Sequence, residues 1–476
     1  MSRARRGSVV VVVVWAVAIA AVLVSATQIV SFRQAVIGRE SLARVQARWA
    51  ARAGVEQMIA IMEWHLENPD PDDPMAVVRD MEEHAIGEVS TGGWDIRHFL
   101  DGIEWAGPLD EGAKLNVNMA SRAQLGNLEG MTPDVVDAII DWRDTNDEVE
   151  GLGAESDYYA NRSAGYRPRN ANLKSIAELE LVAGAWPENL RGEDWNLNGR
   201  LDPHEDAGPR TFPDDKPAGK LDAGWSQYLT ASSVQSPMSL SGEEKMRLNG
   251  ADEEGLIKRL GITAEQARAL IAFGSQPNAK PETLLVTPLS QLAGGSAQSG
   301  RSTGTQAGTG ARSGQSAGSG RTGSGTGSSG RSSGGRTATG SSTPSATDLN
   351  PQQLRAVLRE LTGDDFSKPV PGRMNINTVP ATVLKEVLEI DPRVADAIVA
   401  RRKAKPEGIT SLADLATMTG INPQVLGTLA TQFDVASSVY TVTSRGRAAS
   451  TGTEVELEAV VDRSKLPARI LSYREQ

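Results

Sequence analysis

The sequence predicts an α+β fold in which a long N-terminal helix packs on a small antiparallel sheet. A large, mostly helical insertion interrupts that sheet. Two observations predict this arrangement. An uncharged apolar run near the N-terminus continues into an amphipathic helical pattern. Short segments with strand-like alternation, at residues 93–99, 102–106, 438–444 and 454–461, stand at both ends of a central region with helical periodicity.

Composition limits the function classes. The 476 residues carry 49 basic and 60 acidic side chains, a net charge of −11, which disfavours nucleic acid as main partner because phosphate binding needs a basic surface. The absence of cysteine excludes disulfides, thiolate metal sites and cysteine nucleophiles. Four histidines and no Ser/His/Asp grouping give no support for a hydrolase. An enzyme is therefore not predicted.

The N-terminus combines a basic leader with an apolar helix of membrane-spanning length. Residues 1–7 contain three arginines, and residues 8–30 carry no charge. A helix of that length rises about 35 Å, enough to cross a bilayer, and the basic flank keeps the N-terminus in the cytoplasm. Residues 42–66 continue with apolar spacings of three and four, and the pattern stops at Asn68-Pro69. The sequence thus predicts one rod, Ser8–Glu67, of about 90 Å.

Three segments of the central region repeat one pattern: an Asn-containing stretch, a helix, a tight turn and a second helix. They begin at Lys114, Arg247 and Arg373. Trailing helices are predicted at Ser175–Val182 and Ser411–Met418. The pattern resembles tandem helix-hairpin-helix units, which leaves sequence-independent DNA binding as an alternative to structural packing. The basic cluster on which DNA binding would depend is Arg401, Arg402, Lys403 and Lys405.

Asp194–Glu205 matches the twelve-residue EF-hand calcium loop at each ligand position. Gly199 provides the sharp turn, and the spacing brings several oxygen donors around one point, as calcium requires. Because Gly208-Pro209 follows, we expect an isolated structural calcium loop; a solvated acidic loop is the alternative. The predicted ligands are Asp194, Asn196, Asn198, the carbonyl of Arg200, Asp202 through a water, and both carboxylate oxygens of Glu205. Weaker acidic candidates for a second site are Asp214, Asp215, Asp222 and the segment 141–157.

Residues 294–347 are almost entirely Gly, Ser, Thr, Ala and Gln, with five arginines among them. Such a composition has nothing to bury and predicts a flexible linker; the alternative is an ordered glycine-rich binding loop.

A basic leader that ends in glycine and runs directly into an apolar helix resembles a type IV prepilin N-terminus. The resemblance implies that prepilin peptidase cleaves between Gly7 and Ser8 and methylates the new amine. A plain signal anchor is the alternative. Residue five of the mature chain, a glutamate in that family, is Val12 here. A subunit that lacks this glutamate can still occupy the end of a filament.

With these features, the central motifs resemble the minor pseudopilin K family of bacterial type II secretion systems. The motifs are Gly112–Asn118, Ala138–Arg143, Gly153–Glu155, Tyr158-Tyr159 and Ser175. The resemblance implies a pilin-like sheet, calcium in the inserted domain, and a mechanical role at the pseudopilus tip in assembly and export across the outer membrane. It also implies a single pass through the inner membrane with the bulk of the chain in the periplasm.

The implied partners are minor pseudopilins I and J, the major pseudopilin, and prepilin peptidase as processing enzyme. Secreted cargo is a further candidate. The competing function class is a membrane-anchored periplasmic DNA-binding protein. The predicted domains are a leader 1–7, a transmembrane helix 8–30, the pilin helix and first strands 31–117, the insertion 118–293, the linker 294–347, the second part of the insertion 348–434, and C-terminal strands 435–476.

Overall fold

The structure is a computed structural model that describes residues 6–202, 205, 221–294 and 347–475. It confirms the α+β prediction. The helices are α1 Arg6–Glu67, α2 Ala76–Glu83, α3 Arg122–Gly126, α4 Pro133–Arg143, α5 Ser156–Ala160, α6 Pro187–Arg191, α7 Glu253–Leu260, α8 Ala264–Gly274, α9 Leu289–Gly294, α10 Pro351–Glu360, α11 Pro392–Lys403 and α12 Pro423–Gln432.

The strands form one large sheet and three short pairs. They are β1 Ile86–Val89, β2 Gly92–Leu100, β3 Ile103–Ala106, β4 Leu109–Asp110, β5 Leu115–Asn116, β6 Leu229–Thr230, β7 Met246–Arg247, β8 Leu361–Thr362, β9 Met374–Asn375, β10 Phe433–Asp434, β11 Val439–Ala448, β12 Glu454–Asp462 and β13 Arg469–Glu475.

Helix α1 runs without a break through both halves of the predicted rod. Its first half is apolar and exposed, and an 18-residue window has a mean hydropathy of 3.0, so the helix has the length and composition to cross a membrane. In its second half Ala43, Ala47, Ala50 and Ala51 are fully buried. These small side chains let the backbone of α1 lie close against the sheet.

The large sheet is antiparallel, with strand order β1-β2-β11-β12-β13; β3 pairs with β2, and β4 with β11. Strands β2 and β11 are hydrogen-bonded neighbours although the helical region separates them in sequence. The chain therefore leaves the sheet after the first strands, forms the helical insertion, and returns to the same sheet at β11. Side chains of β11 and β12, among them Tyr440, Val442, Leu457 and Ala459, form a core with Val55, Met58 and Met62 of α1.

Each of the three predicted repeats is closed by a pair of two-residue parallel strands. Strand β5 pairs with β6, β7 with β8, and β9 with β10. The repeats are therefore 115–230 (repeat 1), 246–362 (repeat 2) and 374–434 (repeat 3). Repeats 1 and 3 share one hydrophobic core, whereas repeat 2 has its own, built from residues such as Leu256, Leu270 and Leu361.

The predicted helices of the repeats are present, and the structure adds the type of three of them. The trailing segments are 3-10 helices, Ile176–Leu181 and Leu412–Thr417, because the side chains of Ser175 and Ser411 accept the N–H two residues on and begin a tight turn. In repeat 3 the helix before the hairpin is a π-helix, Val383–Val387. The predicted linker lies outside the described residues except at its two ends.

Candidate functional site

The candidate calcium loop lies on the face of the sheet opposite α1. The carbonyl oxygen of Asn198 accepts a hydrogen bond from Thr443 Oγ1 at 3.2 Å, and the N–H of Phe99 donates to Gly199 O at 2.8 Å. Arg474 on β13 donates to Leu197 O at 2.5 Å. Three strands of the sheet thus hold the loop by its backbone.

The side chains at the predicted ligand positions turn into the loop and accept its backbone N–H groups. Such bonds pre-form an oxygen-lined loop, as the EF-hand pattern requires. They run from Asn198 N to Asp194 Oδ1 (3.0 Å) and Asn196 Oδ1 (3.0 Å), from Gly199 N to Asp194 Oδ2 (3.0 Å), from Arg200 N to Asn198 Oδ1 (2.8 Å), and from Asp202 N to Glu205 Oε2 (2.9 Å).

Burial and charge at the loop fit a divalent cation. Asp194 and Glu205 are 2% and 4% exposed. Burial raises the pKa of Asp194, and burial together with the charges of Asp194 and Asp202 raises the pKa of Glu205 to about 7. A hard cation among these oxygens would offset both effects, and calcium prefers oxygen ligands. His204, which is not among the predicted ligands of the loop, lies outside the described residues.

Two arginines at the loop have different roles. Arg200 is buried and its guanidinium donates to Asp95 O at 3.3 Å, so its side chain points away from the ligand positions. This is compatible with the prediction, because only the backbone carbonyl of Arg200 was expected to be a ligand. Arg445 on β11 donates to Asp202 Oδ1 at 2.7 Å. Burial acts to raise the pKa of Asp202. The hydrogen bonds from Arg445 and from the side-chain amides of Asn196 and Asn198 outweigh this effect, so the pKa is lowered overall.

A second group of carboxylates lies in repeat 1, within the segment 141–157 that the sequence named as a weaker candidate for a second site. Ligand oxygens of Asp141, Asp144 and Glu155 lie within 4.8 Å of one another. Asp141 and Glu155 are buried, at 0% and 3% exposure. Burial and then the charges of Asp141, Asp144 and Asp147 raise the pKa of Glu155 to about 7. No ion pair in the described part of the chain reaches the three carboxylates, so their mutual repulsion favours a bound cation.

The motif residues of this segment surround that carboxylate group. A Cβ at Gly153 would lie 2.1 Å from Asp141 Oδ2, so only glycine leaves room for the carboxylate. Tyr159 is fully buried, its ring lies edge-on to Trp142 at 5.2 Å, and its hydroxyl accepts the N–H of Ala183 at 3.2 Å. The motif therefore packs the helices that carry Asp141 and Glu155.

In repeats 2 and 3, the hairpin turns that would bind phosphate in a DNA-binding unit are capped by the protein's own side chains. In repeat 3, Asp391 Oδ1 accepts the N–H of Arg393 at 2.8 Å. In repeat 2, Gln266 Oε1 accepts the N–H of Thr263 at 2.9 Å in a capping box. A phosphate at these turns would meet an acidic cap or an N–H that already has an acceptor.

The predicted basic cluster is not one surface. Arg402 turns inward and donates to Ile376 O at 3.1 Å and Val379 O at 2.6 Å, and burial lowers its pKa to about 10. Lys405 forms an ion pair with Glu407 at 3.0 Å. The prediction of a four-residue cluster is therefore wrong, because helix periodicity places Arg402 on the packed side of α11.

The remaining predicted positions lie on α1. Gly7 and Ser8 fall in its first turn. Beyond the membrane-length part, Leu42, Val45 and Trp49 are 58%, 45% and 57% exposed. Their spacing of three and four places these side chains on one side of α1, away from the sheet, where they form an apolar strip. The sequence pattern alone predicted only that they belong to an amphipathic helix.

Comparisons with known proteins agree with the sequence patterns. Residues 112–192 match the family model described as type II secretion system protein K, which confirms the resemblance to minor pseudopilin K. Residues 372–434 match the helix-hairpin-helix motif. The chain is also similar to a solved structure titled as the GspK-GspI-GspJ complex from the enterotoxigenic Escherichia coli type 2 secretion system, with 11% identity, coverage of 92% of this chain and 98% of that chain, and a TM-score of 0.41. No curated protein matches.

Proposed function

We propose that this chain, whose residues 112–192 are a type II secretion system protein K domain, is a minor pseudopilin at the tip of the pseudopilus. There it takes part in pseudopilus assembly and in protein export across the outer membrane. The observation that carries the proposal is the insertion of three helical repeats between β2 and β11, neighbours in a sheet packed on a membrane-length helix. This bulk suits the end of a filament better than a position repeated along it.

Helix α1 would anchor the chain in the bacterial inner membrane as a single pass, with the N-terminus cytoplasmic and the bulk periplasmic. Prepilin peptidase would cleave between Gly7 and Ser8 and methylate the new amine. Val12 has no carboxylate to pair with the N-terminal amine of a neighbouring subunit, which favours a terminal position.

Minor pseudopilins I and J are the proposed neighbours, with the major pseudopilin below them. The GspK protein of the solved complex assembles, by that complex's title, with GspI and GspJ. For this chain we propose that the apolar strip of Leu42, Val45 and Trp49 packs on the equivalent helices of its partners, because helix faces of this kind pack on other helices. Secreted cargo remains a candidate contact of the repeats.

Calcium is proposed at the Asp194–Glu205 loop and, from its buried carboxylates, at Asp141, Asp144 and Glu155. The ion would hold local structure and would take no part in a chemical step. It would neutralise carboxylates that fold into close contact, and so stabilise the inserted domain in a compartment where calcium is available.

Co-purification tests the proposal. The full-length chain, in detergent with calcium, is co-expressed with pseudopilins I and J of the same organism, and the mass is read by light scattering. We expect a 1:1:1 complex that Trp49→Ala weakens. Trp186→Ala is the matched control, because Trp186 is also exposed, at 66%, but lies in the inserted domain. A lone monomer that binds duplex DNA at physiological salt would contradict the proposal and favour the DNA-binding alternative.

A further inference from the structure

The outer face of β12 carries three glutamates that alternate with core side chains. Val455, Leu457 and Ala459 pack towards α1, whereas Glu454, Glu456 and Glu458 point to the opposite face. Such alternation is typical of a strand with one solvated face. Glu456 and Glu458 are nevertheless only 7% and 8% exposed, because the calcium loop covers them.

Glu456 contacts the loop at one of its ligand positions. Its Oε1 accepts a hydrogen bond from Asn198 Nδ2 at 2.6 Å, and its Oε2 accepts from Arg445 Nη2 at 2.9 Å. Arg445 in turn donates to Asp202 Oδ1 at 2.7 Å. One carboxylate of the sheet therefore fixes two side chains of the loop, one directly and one through an arginine.

The bond to Glu456 determines which way the Asn198 amide points. Its Nδ2 donates to Glu456 Oε1 and to Asp202 Oδ2, at 2.6 and 3.0 Å, so both amide hydrogens are used. The Oδ1 atom must then point the other way, into the loop, where it accepts the N–H of Arg200. An amide turned by 180° would present hydrogens to a cation instead of an oxygen.

We propose that Glu456 is a positioning residue for the calcium loop, and that a cation bound there clamps the inserted domain to the pilin-like sheet. The inference rests on the proposed calcium site and adds a coupling between two parts of the chain. By thermodynamic linkage, if docking on β12 orients Asn198 for calcium, calcium must strengthen the docking by the same factor. Partners that orient a metal ligand typically contribute 10- to 100-fold to metal affinity.

The test measures calcium affinity of the full-length chain in detergent by titration calorimetry. Glu456→Gln should weaken binding about 10- to 100-fold. Glu454→Gln is the matched control: the same charge is removed from the same strand face at a residue 49% exposed in its side chain, and we expect less than a threefold change. Melting in EGTA verifies that both variants fold.

A donor–acceptor exchange separates positioning from charge. Asn198→Asp alone places its carboxylate against those of Glu456 and Asp202 and should weaken binding. Adding Glu456→Gln restores the bond to residue 456 with donor and acceptor exchanged, so the double variant should bind calcium more tightly than Asn198→Asp alone. Hydrogen exchange in β12 should slow with calcium in the parent and in the double variant Asn198→Asp with Glu456→Gln, but not in Glu456→Gln alone.

If the parent binds calcium and Glu456→Gln binds it equally well, this inference alone is overturned. A parent whose calcium binding is absent, or is unaffected by Asp194→Asn, overturns the calcium loop as well.

Discussion

The backbone N–H of Ser290 donates a hydrogen bond to Asp348 Oδ1 at 3.0 Å, although the two residues are 58 positions apart. Gln266 of α8 also contacts Asp348, because its Nε2 donates a hydrogen bond to Asp348 O at 2.8 Å. The chain therefore returns, after the Gly/Ser-rich segment, to the point where it left repeat 2.

This closure predicts that the segment is dispensable for folding. Replacing residues 295–346 by a four-residue Gly-Ser linker should leave the melting temperature equal to the parent's or a few degrees higher, since each halving of a loop recovers about 0.6 kcal/mol of closure entropy. The measurement is thermal unfolding followed by circular dichroism.

The control for the deletion keeps the length of the segment and replaces its five arginines by serine, which tests whether those side chains contribute. Loss of cooperative unfolding in the deletion variant, with an unchanged arginine-free variant, would show that repeat 2 needs the segment's length.

The sequence predicted the elements whose signal is periodic and local. Helix α1, β11 and β12 follow from repeated spacings of apolar residues, and the EF-hand loop from twelve consecutive positions. Strand β13 escaped prediction because Ile470 and Leu471 are adjacent, so they fall on opposite faces and break the alternation. These signals are sufficient for the element types.

Contacts between distant segments could not be predicted. Asn198 and Glu456 are 258 residues apart, and the glutamate reads as a solvated strand residue until the loop is placed over it. For the carboxylate group of repeat 1 the sequence named the segment 141–157 but not its three members, since Glu155 meets Asp141 only after the turn that follows α4. A pattern of residue types gives spacing along the chain but not which faces meet.

The calcium loop predicts a calcium-dependent stability. In the parent, calcium at about 100 times its dissociation constant should add about 2.7 kcal/mol to the free energy of unfolding. Asp194→Asn with Glu205→Gln should remove this increment and leave cleavage at Gly7 intact. Thermal melts with and without millimolar calcium measure the effect. The exposed pair Glu254→Gln and Glu265→Gln is the charge-matched control, and equal melting of loop variant and parent in calcium would contradict the site.

The carboxylate group of repeat 1 predicts an effect that changes sign with calcium. At pH 8 in EGTA, Glu155→Gln should raise the unfolding free energy by about 1 kcal/mol, because it removes a buried charge that the charges of Asp141 and Asp144 repel. In calcium the same variant should be less stable than the parent, since a ligand is lost. Urea unfolding measures both, with the exposed Glu148→Gln as control. Destabilisation in EGTA would count against the cation site.

His98 predicts a loss of stability in mild acid. Its Nδ1 donates to Gly107 O at 2.8 Å, and burial, with the charge of Lys114 adding to it, lowers its pKa from 6.5 to about 4. The unfolded chain therefore binds the proton first, so the contribution of His98 is complete above pH 6.5 and is lost as the pH falls through 4. Because the side chain is half-buried, we expect about 1–2 kcal/mol.

His98→Asn retains a donor for Gly107 O without titrating, so its unfolding free energy should fall less than the parent's between pH 7 and 4. His84→Asn should behave like the parent, because His84 is an exposed histidine. An identical pH dependence for His98→Asn and the parent would show that folding does not change the pKa of His98, and would contradict the prediction.

The absence of a side chain at Gly446 allows β11 to pack closely on α1, and we expect that a larger residue there destabilises the protein. A Cβ at this position of β11 would lie 2.0 Å from Ala47 O and 2.3 Å from Ala51 N, both of them helix backbone atoms that cannot rotate away. Gly446→Ala must push α1 off the sheet and should cost about 1–3 kcal/mol in urea unfolding, the range for overpacked cores. Gly126→Ala in α3 is the control, because a Cβ there meets nothing within 4 Å and favours the helix. A neutral Gly446→Ala would mean that α1 can shift on the sheet without loss, and would contradict the need for close packing between α1 and β11.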